Sequence, residues 1–161
     1  MVWHFLSLLF LILIANGSPI LARYLMRTTL SCPIDFGYRF ADQQRLFGEA
    51  KTWRGFFSSL IATGVSALLV GYDLATGLLI AMGAMSGDLI SSFFKRRLGF
   101  RSSARAPLLD QVPESLLPAL LVMHLFQLST TDILMLVCIF FILDVGLSRL
   151  FYWLGVRRKP Y

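Results

Sequence analysis

Residues 83–115 read GAMSGDLISSFFKRRLGFRSSARAPLLDQVPES, and the reading of this stretch decides how the chain is built. An apolar helix carries Asp88 near its end, passes Ser91 and Ser92, and stops at Lys95-Arg96-Arg97; a basic loop then closes on Asp110. The residues ahead of Asp88 are apolar over a membrane-spanning length. The carboxylate therefore sits near the end of a transmembrane segment, where an ionisable group is costly and points to function. Ser91, Ser92 and Lys95 follow Asp88 by three, four and seven residues, a spacing that puts all four side chains on one side of a helix. That side offers a carboxylate, two hydroxyls and an ammonium at a membrane surface, a set able to hold a divalent cation together with phosphate oxygens.

Outward from this stretch, composition agrees. The 161 residues are 57% hydrophobic and 15% charged, whereas a soluble domain has about half and about a quarter. The expected fold is an all-α polytopic membrane protein forming a single domain over 1–161. Five transmembrane helices are expected over 2–25, 55–72, 74–94, 112–128 and 133–156, with large polar loops at 26–54 and 95–114. The first helix is expected to break near Asn16-Gly17-Ser18-Pro19. Asn16 or Ser18 would cap a new helix with Pro19 in its first turn, and such a break can aim backbone amides at an anion. Residues 2–15 also look like the apolar part of a signal peptide, but no Lys or Arg precedes them, so they read as membrane helix. Gly83 and Gly87, with Gly77, Ala81 and Ala84, give the third span a surface of small residues. Such a surface serves close packing inside the chain or in a homodimer.

The fifteen Lys and Arg fall in three groups: six from Arg23 to Arg54, five from Lys95 to Arg105, and four from Arg149 onward. None precedes Arg23 or lies in the turns near Tyr72 and Thr130. With five spans, every group falls on one side. The positive-inside rule makes that side cytoplasmic, with the N-terminus outside, in a cell (inner) membrane. The basic character is thus topological. No basic stripe is interleaved with aromatics as in single-strand binders, so no nucleic-acid partner is expected. Cys32 and Cys138 imply no disulfide or zinc framework, His4 and His124 stand alone, and no P-loop, Rossmann or serine-hydrolase motif is present.

Asp88 and Asp110, with many cations on the same side, suit magnesium-dependent handling of a polyphosphate at the level of lipid head groups. Lys51, Thr52 and Arg54 flank Trp53 where the second span begins. They read either as a phosphate clamp or as an interfacial anchor of tryptophan and cations. Asp144, inside the fifth span, is expected to turn inward to a partner.

The motifs Asn16-Gly-Ser-Pro19, Phe47-Gly-Glu-Ala-Lys-Thr-Trp-Arg-Gly55, Gly87-Asp-Leu-Ile-Ser-Ser-Phe-Phe-Lys-Arg-Arg97 and Leu109-Asp-Gln111 resemble, in this order, the CDP-archaeol synthase family. More broadly they resemble the membrane CTP-dependent phosphatidate cytidylyltransferases. The resemblance implies transfer of CMP from CTP to a lipid phosphate, giving a CDP-lipid of archaeol or diacylglycerol type and pyrophosphate. Matched by position, Asp88 and Asp110 would hold a catalytic Mg2+, with Glu114 a further candidate, and Lys95 would act beside them. Arg96, Arg97, Ser91 and Ser92 would contact phosphates. Lys51, Thr52 and Arg54 would bind nucleotide or lipid phosphate, and Asn16 and Ser18 complete the substrate-binding candidates. The chain departs from the family pattern at Ala50 and at Pro113. Pro113 stands where a second Asp is usual, and Glu114 follows it. The alternative reading is a non-catalytic membrane subunit of the same fold that binds nucleotide or lipid.

Overall fold

The computed structural model describes residues 2–102, 104 and 106–155. They form α1 (Val2–Met26), α2 (Trp53–Leu69), α3 (Leu74–Arg97), α4 (Pro107–Val122) and α5 (Thr130–Trp153). Among the described residues there is no β-strand, only isolated bridges at Pro33–Thr52 and Arg39–Arg45 in the α1–α2 connection. The chain is a multi-pass membrane protein. Helices α1, α3 and α5 are long and apolar enough to cross a bilayer by themselves. Helices α2 and α4 are shorter, at 17 and 16 residues.

Local chemistry sets the helix ends. Asp73 caps α3 by accepting from the Thr76 amide at 2.6 Å, and Ser129 with Asp132 forms a reciprocal capping box on α5. Helix α4 starts at Pro107, not at 112 as the sequence suggested, so Asp110 stands on a helix instead of in a loop. Proline suits a first helical position because the amide it lacks would be unpaired there. Asp110 Oδ2 then accepts from the Ala106 amide at 3.1 Å and closes the turn.

The expected break in α1 does not occur; the helix runs unbroken through Pro19. Pro19 has no N–H to give the Ala15 carbonyl, which is the usual reason for a kink. Here Ser59 Oγ on α2 donates to that carbonyl at 2.8 Å, and Gly55 brings the α2 backbone up against the Pro19 ring. A neighbouring helix thus satisfies the freed group, as membrane interiors require. Ser59→Ala is expected to destabilise the detergent-solubilised protein by about 1 kcal/mol, read as a lowered midpoint of thermal unfolding. The loss should shrink in a Pro19→Ala background, where residue 19 regains its own donor. An equal loss in both backgrounds would disprove this role for Ser59.

The two ends of the bundle differ. At one end His4 Nδ1 meets the Tyr72 hydroxyl at 2.6 Å, and Tyr72 stacks on Phe126 at 4.6 Å between ring centroids. The apolar core of Leu8, Ile12, Ile80, Val122, Leu136 and Phe140 lies within the bundle. The other end gathers the close of α1, the start of α2, the close of α3 and the start of α4. Helix α3 is central and is approached closely on two sides. A Cβ on Gly77 would lie 2.7 Å from Ala67 Cβ, and one on Gly83 would lie 2.8 Å from Pro118 Cα. The small-residue surface is therefore used inside the chain, against α2 and α4.

Candidate active site

The site forms where the last turns of α3 cross the first turns of α4 beneath the end of the α1–α2 connection. Gly87 makes the crossing possible: a Cβ there would sit 2.2 Å from the Pro113 carbonyl oxygen. One residue on, Asp88 forms an ion pair with Lys51. The Glu114 side chain, on α4, lies beside the Asp88 carboxyl. Two turns further along α3, Lys95 Nζ lies 2.6 Å from Asp110 Oδ1 and also donates to the Ala104 carbonyl at 3.2 Å. Asp88, Glu114, Asp110, Lys51 and Lys95 thus form one cluster of three carboxyl groups and two ammonium groups.

Lys51 reaches the cluster because its backbone is pinned. Ile34 donates to the Lys51 carbonyl at 2.8 Å, and Trp53 donates to the Cys32 carbonyl at 3.0 Å. Burial works against charge on Lys51, but Asp88, Glu114 and Asp110 outweigh it and raise the ammonium above the ordinary lysine range. Thr52 serves locally as the N-cap of α2, its Oγ1 accepting from the Gly55 amide at 3.3 Å. Ser91 Oγ donates to the Asp88 carbonyl at 2.9 Å. Ser92 is buried one turn beyond Asp88, and its hydroxyl has no partner among the described residues.

The remaining candidates lie around the cluster in other contacts. Arg96 donates to the Arg101 carbonyl at 2.8 Å. Arg97 pairs with Asp42 at 2.6 Å, donates to the Arg45 carbonyl at 2.9 Å, and lies over the rings of Phe40 and Phe93. Arg54 donates to the Arg27 and Thr29 carbonyls at 2.9 and 2.6 Å. Asn16 donates back to the Ile12 carbonyl at 3.0 Å, and the Ser18 hydroxyl is buried without a partner among the described residues. The structure therefore gathers Asp88, Asp110, Glu114, Lys51 and Lys95, and places the three arginines on loop backbone.

Gln111 is a site residue that the sequence did not single out. Its Nε2 donates to Asp144 Oδ2 at 3.0 Å and ties the start of α4 to α5. Asp144 thereby has an inward partner. The available signal was the side chain's place between Asp110 and Glu114 in the opening stretch.

The loop over the cluster is organised by Asp35. Its carboxylate accepts from the amides of Gly37, Phe47 and Gly48 at 3.0, 3.2 and 3.0 Å and from Arg45 Nη2 at 3.0 Å. Burial opposes ionisation, but the amides and Arg45 prevail and hold the carboxyl below the ordinary aspartate value. A folded value below the unfolded one of about 3.9 means the stabilisation is complete above that pH and disappears as pH falls through the folded value. Amide exchange at Gly37 and Gly48, corrected for intrinsic rates, should stay protected from about pH 8 to pH 5 and loosen only in stronger acid. Asp35→Asn should loosen both amides at neutral pH. Loosening of the unsubstituted protein between those two values would contradict the assignment.

The fit to a metal follows from the donors. Among the described residues no three His, Cys, Asp or Glu side chains converge tightly enough to cage an ion. Asp88 and Glu114, however, bring two carboxyl groups into contact, and magnesium needs only one or two carboxylates when water and phosphate supply the rest. The site suits a magnesium ion shared with a polyphosphate and does not suit an all-protein cage.

Similarity to known proteins identifies the family. The family described as CarS-like: CDP-archaeol synthase matches residues 2–75 and 66–161. The CDP-archaeol synthase of Archaeoglobus fulgidus is 36% identical over 152 residues, covering 80% of this chain and 84% of that protein. The CDP-archaeol synthase of Hyperthermus butylicus is 41% identical over 106 residues, covering 62% of this chain and 60% of that protein. A solved structure described as an intramembrane enzyme for archaeal membrane lipids biosynthesis superposes with a TM-score of 0.72 at 29% identity, over 88% of this chain and 90% of that one. With the family matched over residues 2–75 and 66–161 and the fold superposing on a solved intramembrane enzyme over 88% of its length, the chain belongs to the CDP-archaeol synthase family.

Proposed function

We propose that the chain transfers the cytidylyl group of CTP to a lipid phosphate, giving a CDP-lipid of archaeol type and pyrophosphate. The observation that carries this reading is the cluster of Asp88, Glu114 and Asp110 with Lys51 and Lys95 at the basic end of a membrane bundle. An oxygen of the lipid phosphate attacks the α-phosphorus of CTP. A new phosphorus–oxygen bond forms as the bond from that phosphorus to the bridging oxygen breaks, and pyrophosphate leaves with the electron pair. Asp88 and Glu114, with Asp110 adjacent, would hold Mg2+, which when bound neutralises phosphate charge. Lys51 and Lys95 sit where they meet the charge building on the phosphoryl oxygens. The close α3–α4 crossing holds these groups in fixed relation, so positioning supplies much of the acceleration. Glu114, one residue beyond the family's usual second aspartate, takes the carboxylate role that Pro113 cannot fill.

In this reading all five helices cross the bilayer and the basic end faces the cytoplasm, where CTP is. The relatives named above are CDP-archaeol synthases, which favours an ether-lipid phosphate over a diacyl phosphatidate. Purified protein with CTP and magnesium should release pyrophosphate when given an isoprenoid ether-lipid phosphate, and far less with a diacyl phosphatidate. Absence of release with both lipids, from folded protein that still binds CTP, would overturn the enzymatic reading in favour of a nucleotide-binding subunit.

A further inference from the structure

The α1–α2 connection does not stand clear of the bundle. Phe40 packs edge-to-face on Phe93 of α3 at 5.7 Å between ring centroids, and Phe36 lies 6.3 Å from the Trp53 ring at the start of α2. Phe47 closes a cavity of about 340 Å³ whose other walls are Ser86, Leu89, Ile90, Phe93 and Phe94 of α3. Helix α3 is long and apolar enough to cross the bilayer. A hydrocarbon layer of about 30 Å takes about 20 helical residues, a length that runs from Leu74 to Phe93. Ile90 lies about 10 Å along the axis before Arg97. Residues 36–47 therefore hang beside α3 at the depth of the hydrocarbon boundary.

Their backbone is equipped for that depth. Where water is scarce, each backbone polar group needs a partner from the protein. Asp35 takes the amides of Gly37, Phe47 and Gly48, and Arg97 takes the Arg45 carbonyl. The Phe40 amide donates to the Gln44 carbonyl at 2.8 Å, and the Leu46 amide donates to the Tyr38 carbonyl at 3.1 Å. Two charged side chains are thus committed to loop backbone that bulk water would satisfy unaided. The outward side chains fit the same depth. Phe36 is 74% exposed and Tyr38 63%. Tyr38 and Phe40 flank the Arg39–Arg45 bridge two residues apart, so Tyr38 projects to the side on which Phe40 meets α3, and Arg39 to the other. Exposed aromatic rings next to an arginine make up the composition of a membrane–water interface.

We propose that residues 36–47 form a strap seated in the head-group layer of the bilayer, with the Phe36 and Tyr38 rings at the first acyl-chain carbons and the Arg39 guanidinium among lipid phosphates. The strap leads directly into Lys51, which then enters the cluster from the layer where lipid phosphates lie. This seat depends on the membrane position of α3 and not on the reaction.

Nitroxide depth measurement tests it in the full chain, with both free cysteines, Cys32 and Cys138, replaced by serine. Single cysteines at Tyr38 and, independently, at Phe36 carry the spin label in vesicles of phosphatidylcholine with phosphatidylglycerol. Glu49→Cys gives the value for water, since the Glu49 side chain is 79% exposed and charged. Ile142→Cys gives the value for hydrocarbon, since Ile142 is 70% exposed on the membrane-crossing α5. At 36 and 38, collisions with oxygen should exceed those with a water-soluble nickel chelate, as at 142, and the order should reverse at 49. The second labelled position keeps the test decisive where one substitution disturbs folding. Nickel accessibility at 36 and 38 as high as at 49 would put the strap in water and overturn the proposal. Spin–spin broadening at 38 that vanishes on dilution with unlabelled protein would also overturn it, by assigning this face to a second copy of the chain.

Discussion

Asp88→Asn should lower pyrophosphate release from CTP by about 100- to 1000-fold, the usual cost of removing one group that stabilises transition-state charge. The amide keeps the shape of the side chain but gives up the charge that pairs with Lys51 and binds a cation. Stability must be measured alongside turnover, because removing one partner of a buried ion pair costs about 3–5 kcal/mol. Lys51 would lose the carboxylate it pairs with directly. The double variant Asp88→Asn/Lys51→Met removes the ammonium as well and should recover thermal stability while staying inactive. That split separates chemistry from folding. Turnover near the unsubstituted level in folded Asp88→Asn protein would remove Asp88 from the site.

Gly87→Ala should be the most damaging single methyl in the chain. The added carbon would meet the Pro113 carbonyl oxygen at 2.2 Å, its carbon at 2.5 Å and the Glu114 amide nitrogen at 2.8 Å. All three are backbone atoms of α4, which no side-chain rotation can move. Overpacking costs about 1–3 kcal/mol where side chains adjust, and here the helices themselves must part, which places the loss at or above the top of that range. The same movement would pull Glu114 from Asp88, so turnover should fall with stability. Gly146→Ala is the matched control, because nothing lies within 4 Å of a Cβ at that position of α5. It should be neutral or stabilise by up to about 1 kcal/mol through helix propensity. An unchanged midpoint for Gly87→Ala would show that α3 and α4 do not meet there.

Much of the fold was legible because membrane helices announce themselves by length and apolarity, and because the third span carries its chemistry at helical spacing. Asp88 and Lys95 reach one cluster, on one side of α3, as that spacing required. Two features were not legible. The pairing of Asp88 with Lys51 joins residues 37 positions apart, and no local pattern fixes a loop lysine's reach. The continuity of α1 depends on Ser59, a hydroxyl on another helix, whereas Asn16-Gly-Ser-Pro19 read in isolation looks like a stop and restart. The start of α4 was placed five residues late, at 112. The helix begins instead at Pro107, a proline suited to a first helical position. That earlier start brings Asp110 and Glu114 onto one rigid rod with Gln111, an arrangement loop residues would not have shared.

The Lys51–Asp88 pair also bears on how the protein is made. An aspartate in the middle of a membrane helix costs about 2.5–3.5 kcal/mol at the moment of insertion, and less toward the helix end. Synthesis runs from the N-terminus, so the lysine that matches Asp88 already exists when α3 leaves the ribosome. Lys95 has the opposite history, since its partner Asp110 emerges later. Until α4 arrives, Lys95 can keep its ammonium at the water-facing end of α3. Chain order therefore puts the deeper charge second, after its counter-ion, and a circular permutant opening between α2 and α3 would deliver Asp88 to the bilayer alone.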